Sequence, residues 1–156
     1  SANPQSKLSK NQLYGTLLAS AYSCKNSILI SVIEDITATQ LSDAEIQAAK
    51  SAACIMAMNN VYYRSMGQLS DDAYKKLPTG LRMQVIGKPG IDKVDFEIYC
   101  LAISAINGCG TCVNAHARVI QQAGVSPADV QLIIKLAAVI NAVHTSQSIQ
   151  SYSASK

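Results

Sequence analysis

A chain of 156 residues is long enough for one domain with a sizeable core. Hydrophobic residues make up 49% of it and charged residues only 15%, so part of the apolar surface is expected to be covered by further copies of the chain. The net charge of +3 is dispersed, Lys75 and Lys76 are the only adjacent basic pair, and aromatics amount to 5%. No phosphate-tracking stripe with stacking platforms emerges, which argues against a nucleic-acid partner.

The opening "SANPQSKLSKNQ" is polar and lacks a signal-peptide pattern, and the absent initiator Met reads as processing or trimming of this end. The longest apolar runs meet Lys, Asn or Gln before the ~20 residues of a membrane span. We therefore expect no membrane and a soluble, cytoplasmic protein. Residues 1–12 read as a flexible N-terminal segment, 13–146 as the helical domain and 147–156 as a polar C-terminal tail.

Within that domain "LYGTLLASAYSC" (13–24) and "NSILISVIEDITATQ" (26–40) space their apolar residues as helices do, although Ile and Val leave a strand open for the second. Ser42 and Glu45 have capping-box spacing and open an Ala-rich helix through "YYRSMG". Residues 68–95 carry Pro78, Gly80, Gly87, Pro89 and Gly90 and form the main irregular connection, with a short helix expected at 71–77. Asp95 is the expected N-cap of "FEIYCLAISAI", which ends at Asn107-Gly108. The next helix runs from about Cys109 to Gln122 and stops at Gly124. "SPAD" (126–129) opens the last one, with Ser as cap and Pro in the first turn. No hairpin or βαβ pattern occurs, and the expected fold is an all-α, single-domain helical bundle. An offset of 55 lays "CIMAMNNV" over "CGTCVNAH", matching Cys54 to Cys109 and Asn59 to Asn114. It leaves a duplicated helical unit and coincidence both open.

Five cysteines, at 24, 54, 100, 109 and 112, are an odd set without the spacing of a secreted disulfide framework. Cys24, Cys54 and Cys100 sit in apolar helical stretches and read as small buried hydrophobes. Cys109 and Cys112 differ because of their neighbours. The Asn107-Gly108 break puts Cys109 at a helix start, where backbone N–H groups and the helix dipole favour a thiolate. His116 lies one turn beyond Cys112 on the same face, about 6 Å along the axis, and could take its proton near neutral pH. If the helices on either side of 107–109 form an antiparallel hairpin, Glu97 returns beside 116–119 and could orient the imidazole. It could equally be an acidic residue favoured in a first helical turn. Haem attachment would need His at 113, where Val stands, and a thioredoxin motif would need a βαβ unit. Zinc held by Cys109, Cys112 and His116, with Glu97 or His144 as fourth ligand, remains a rival. His144 otherwise reads as a packed or interfacial histidine.

In "LYGTLLASA" (13–21), "IMAMNNVYYR" (55–64), "GLRMQVIGKPGI" (80–91), "FEIYCLAISAINGC" (96–109) and "CVNAHARVI" (112–120), the sequence resembles the alkyl hydroperoxidase D (AhpD) family of the carboxymuconolactone decarboxylase-like superfamily. The likeness spans about residues 13–145. It implies an all-helical subunit in a homotrimer and a thiol-dependent antioxidant activity, reducing hydroperoxides directly or regenerating a peroxiredoxin (AhpC). The implied electron donor is dihydrolipoamide on a lipoyl-bearing 2-oxo-acid dehydrogenase component, recharged by dihydrolipoamide dehydrogenase, with no tightly bound cofactor. It also implies Cys112 as the thiol that becomes sulfenic acid, Cys109 as proton donor and disulfide partner, and Glu97 and His116 as a proton relay. Two departures stand out. Thr111 occupies the place of a family histidine, removing one titrating group, and the segment before "LYGTLLASA" is shortened. A decarboxylase or isomerase of the same superfamily is the alternative enzyme, and a zinc-binding helical module the non-catalytic one.

Overall fold

The computed structural model describes residues 6–154 and is built from helices, with no strand among them. Seven α-helices follow in order: α1 (Lys10–Cys24), α2 (Ser27–Thr37), α3 (Asp43–Gln68), α4 (Gln84–Gly87), α5 (Lys93–Ile106), α6 (Gly110–Gln122) and α7 (Pro127–Ala154). A single 3₁₀ turn, Tyr74–Lys76, is what remains of the short helix expected at 71–77. The segment read as an open connection also contains α4.

Local sequence explains most of the boundaries. Ser9 and Gln12 form a capping box that starts α1 at Lys10, three residues before the hydrophobic periodicity becomes legible. Ser42 and Glu45 form the expected box on α3. Asn26 caps α2 through the backbone N–H of Leu29 and settles that stretch as helix. The N-cap of α5 is Asp92, not Asp95: the Asp92 carboxylate accepts from the Val94 N–H, while Asp95 lies inside the first turn and accepts from Gln12 Nε2. Ser126 caps α7 as its "SPAD" sequence indicates.

The polar ends are more ordered than their composition suggests. Ser6 Oγ donates to Asp129 Oδ1 at 2.7 Å, tying the chain before α1 to the first turn of α7. Residues 1–5, the rest of the segment expected to be flexible, lie outside the described residues. Residues 147–154 of the polar tail continue α7, where Ser148 and Ser153 donate to carbonyls four residues back.

At the centre is α5, whose residues 96–104 are all buried. It packs against α1, α3, α6 and α7. Burial on every side explains its near-continuous apolar sequence, since a helix enclosed all round has no polar face to display. Gly15 of α1 is required by this packing, because a Cβ there would overlap the ring and hydroxyl of Tyr99 on α5. The long α7 lies along α1 and α5 through Ile133, Ala137 and Ile140. Lys135 and Asn141 interrupt it, yet by length and composition alone it meets the requirements of a membrane span, which the reading of apolar runs missed. Its outward face carries Val139 and Val143, and α2 exposes Ile28, Val32 and Ile36 in one stripe.

Of the three cysteines read as buried hydrophobes, Cys100 is buried, Cys24 half-buried and Cys54 exposed. Cys54 shares the outer face of α3 with Lys50, Ala57 and Val61, at helical spacing from them. It also lies in mid-helix, whereas Cys109 caps a helix, so the cysteines aligned by the 55-residue offset do not occupy equivalent positions.

Candidate functional site

The α5–α6 hairpin turns at Asn107-Gly108. Gly108 adopts φ +68°, a left-handed conformation that glycine reaches without steric cost, and the Cys109 N–H donates back to the Ser104 carbonyl at 3.1 Å. This turn makes Cys109 the N-cap of α6, with its sulfur accepting from the Cys112 N–H at 3.3 Å. The two cysteines are joined by a disulfide, with Cα atoms 5.3 Å apart. Cys109 is fully buried, while Cys112 keeps 5% of its surface. Both cysteines are thus buried, Cys109 more completely than Cys112.

Antiparallel pairing of the hairpin brings Glu97 in the second turn of α5 onto His116 in the second turn of α6. Their Nδ1–Oε2 separation is 2.6 Å, and both side chains are nearly buried. A carboxylate can only accept, so Nδ1 carries the hydrogen and Nε2 the basic lone pair. This contact fixes the orientation of the imidazole ring. Glu97 is thus a histidine partner, and the competing reading of an acidic residue merely favoured near a helix start is set aside. Cys112 and His116 share the buried face of α6 one turn apart.

Buried beside this pair is Cys100, three residues after Glu97 on α5. Burial pushes its thiol well above the ordinary range, and the Glu97 carboxylate pushes in the same direction, so Cys100 stays protonated and inert. Thr111 is exposed at the start of α6, lies against Gly67 of α3 and carries no titrating group. Among the described residues no three His, Cys, Asp or Glu side chains converge as a metal set. The sulfurs that zinc would need are bonded to each other, Glu97 is engaged by His116, and His144 sits half-buried on α7 with its Nδ1 unpartnered.

Sequence reasoning missed the residues behind the turn. Asn60 of α3 is 1% exposed and links Ser104 to Asn107, while Arg64 one turn later donates from Nη1 to the Asn107 carbonyl. A signal was present: Ala52, Met56 and Asn60 recur at helical spacing on a buried face, and an amide there breaks an otherwise apolar row. A cavity of about 210 Å³ lies beyond Asn107, lined by Tyr22, Ser23, Lys25, Val61 and Arg64 among others. None of Glu97, Cys109, Cys112 and His116 lines it.

This arrangement, a disulfide capping one helix of a hairpin with a buried His–Glu pair behind it, defines a class of small helical proteins with a dithiol centre. Residues 72–148 match the carboxymuconolactone decarboxylase family. The chain is 49% identical to the alkyl hydroperoxide reductase AhpD of Coxiella burnetii (strain Dugway 5J108-111) over 141 residues, covering 90% of this chain and 80% of that protein. It is also 49% identical to the protein of that name from Azorhizobium caulinodans, covering 87% of this chain and 75% of the relative. For the Streptomyces coelicolor protein of the same name the identity is again 49%, over 88% of this chain and 78% of the relative. The chain belongs to the AhpD family.

Proposed function

We propose that the protein is an antioxidant dithiol oxidoreductase that reduces alkyl hydroperoxides, regenerates a peroxiredoxin, or does both. The observation that carries this reading is the Cys109–Cys112 disulfide at the start of α6 with the His116–Glu97 pair one turn further on. The names of the relatives agree with it.

In the reduced protein His116 takes the Cys112 proton through Nε2, and Glu97 stabilises the imidazolium. The Cys112 thiolate attacks the terminal peroxide oxygen. The O–O bond breaks, Cys112 becomes a sulfenic acid, and the alkoxide takes the proton from His116 to leave as an alcohol. Cys109 then attacks the Cys112 sulfur, forming the disulfide and releasing the sulfenic oxygen as water. On an oxidised peroxiredoxin, Cys112 attacks a disulfide sulfur instead and Cys109 resolves the mixed disulfide. Dihydrolipoamide closes the cycle. Its thiolate attacks Cys112, the sulfur with remaining surface, and displaces Cys109. A thiolate leaves readily from Cys109 because it caps a helix and accepts the Cys112 N–H. The second lipoyl thiol then frees Cys112 and departs as lipoamide.

The partners in this scheme are AhpC and a lipoyl-bearing 2-oxo-acid dehydrogenase component served by dihydrolipoamide dehydrogenase, with no tightly held cofactor. A thiol-reducing cytoplasm suits a pair that must be reopened after each turnover. We also propose a homotrimer, supported by the uncovered apolar stripes on α2 and α7. The assay follows NADH oxidation with dihydrolipoamide dehydrogenase and lipoamide, with and without peroxiredoxin and hydroperoxide. Turnover that requires both this protein and the peroxiredoxin identifies an electron shuttle, whereas turnover without the peroxiredoxin identifies a self-sufficient peroxidase. No NADH oxidation in either arrangement rejects the scheme. The name of the matching carboxymuconolactone decarboxylase family favours one rival, a decarboxylase acting on a lactone. Full lactone turnover after alkylation of both cysteines would establish it.

A further inference from the structure

We infer that Asn60, Asn107 and Arg64 form a clamp that sets the redox poise of the Cys109–Cys112 pair. Asn60 lies on α3, outside the hairpin that carries the disulfide. Its Nδ2 donates to Ser104 Oγ at 2.9 Å, with a weaker contact to Met56 Sδ at 3.8 Å, and its Oδ1 accepts from Asn107 Nδ2 at 2.9 Å. Arg64 donates to the Asn107 carbonyl, and Ser23 Oγ of α1 reaches Asn107 Oδ1 at 3.4 Å. Ser104, the other residue gripped by Asn60, supplies the carbonyl that accepts the Cys109 N–H. Ser104 and Asn107, which precede Cys109 in the turn, are therefore fastened to α3 by side chains that touch neither sulfur.

Opening or closing the disulfide changes how much this turn must be held. The bridged form has the two Cα atoms 5.3 Å apart, Gly108 in its left-handed conformation and Cys109 in the non-helical backbone of an N-cap. A dithiol tolerates a wider range of turn shapes. Bonds that confine the turn to the bridged shape stabilise the disulfide more than the dithiol. By linkage, formation of the disulfide tightens the clamp in return. These are positioning residues. The functional consequence depends on the cycling proposed above, but the poise itself does not.

The test equilibrates full-length protein with glutathione buffers, counts free thiols by mass spectrometry, and measures thermal unfolding of each redox form. In Asn107→Ala and Asn60→Ala the equilibrium should move toward the dithiol by about three- to tenfold, tenfold being about 30 mV for this two-electron couple. The oxidised form should lose more stability than the reduced one. Arg64 is exposed, so Arg64→Met should fold normally and shift the poise in the same direction by about twofold. An unchanged poise with equal destabilisation of both redox forms would overturn the inference, and Asn107→Ala with Arg64→Met decide the matter if Asn60→Ala does not fold. A poise shift in a protein that reduces neither a hydroperoxide nor an oxidised peroxiredoxin would reject the proposed activity and keep the clamp. Turnover with an unmoved poise would do the reverse.

Discussion

Cys109 and Cys112 are three residues apart and chemically unequal. The first is sealed and caps a helix, while the second keeps a sliver of surface and has an oriented imidazole one turn on. That asymmetry supports the roles proposed for them. Cys109→Ser should leave a sulfenic acid on Cys112 that a dimedone-type probe captures, and Cys112→Ser should yield no labelled protein. Glu97→Gln keeps the shape of the pair but removes the charge that holds the imidazolium. It should slow hydroperoxide reduction about tenfold, and His116→Ala about a hundredfold or more, both read by single-turnover thiol loss. A different residue tests the packing. Tyr99 buries a hydroxyl with no hydrogen-bond partner, so Tyr99→Phe should match or exceed the wild type in stability. Gly15→Ala should cost about 3 kcal/mol in denaturant titration, because neither the Tyr99 ring nor the helix backbone can give way. Helical periodicity turns sequence spacing into distance and put His116 one turn from Cys112, whereas Glu97 depended on how two helices pair and was left open by spacing alone. Asn60 and Arg64 were not legible, since which helix lies behind the turn is a tertiary fact that local spacing does not encode.

Helix starts were read from the sequence wherever the cap and the apolar pattern began together, as at Ser42 and Ser126. They were misread where two acids compete, as with Asp92 and Asp95, because either can cap and only the position of the preceding chain decides. The segment before α1 was read as flexible because composition registers hydrophobic burial and not hydrogen bonds. Asp129 illustrates what was overlooked. Burial opposes its ionisation, but hydrogen bonds from Ser6, Ser126 and the Lys7 backbone outweigh that and hold the carboxyl below its ordinary value. A depressed folded-state value stabilises the fold above the unfolded carboxylate range, near pH ~4, and that contribution disappears as pH falls through the lower folded value. Asp129→Asn should therefore cost about 1 kcal/mol at pH 7, with the gap from wild type closing on acidification below about pH 4, as followed by chemical denaturation.

On the scale of the whole molecule, the excess of apolar residues in the composition reappears as uncovered surface: Ile28, Val32 and Ile36 on α2, and Val139 and Val143 on α7. If these faces hold the proposed trimer, Val32→Glu or Val139→Glu should lower the sedimenting mass while leaving helical circular dichroism intact. Unchanged mass in both variants would remove these faces from the assembly. The all-α class was legible because no alternating pattern interrupts the helical one, whereas the central position of α5 became visible only once its neighbours were packed around it. The dithiol centre carries every functional proposal made for this protein. Reduced protein mixed in rapid-quench experiments with one equivalent of an organic hydroperoxide, and separately of a disulfide-form peroxiredoxin, should lose two thiols per oxidant reduced in at least one of them, with Cys109 and Cys112 joined in the product and no reaction in Cys112→Ser. Reduction of either oxidant equally by wild type and Cys112→Ser, or no loss of the Cys109 and Cys112 thiols to either oxidant, would contradict it.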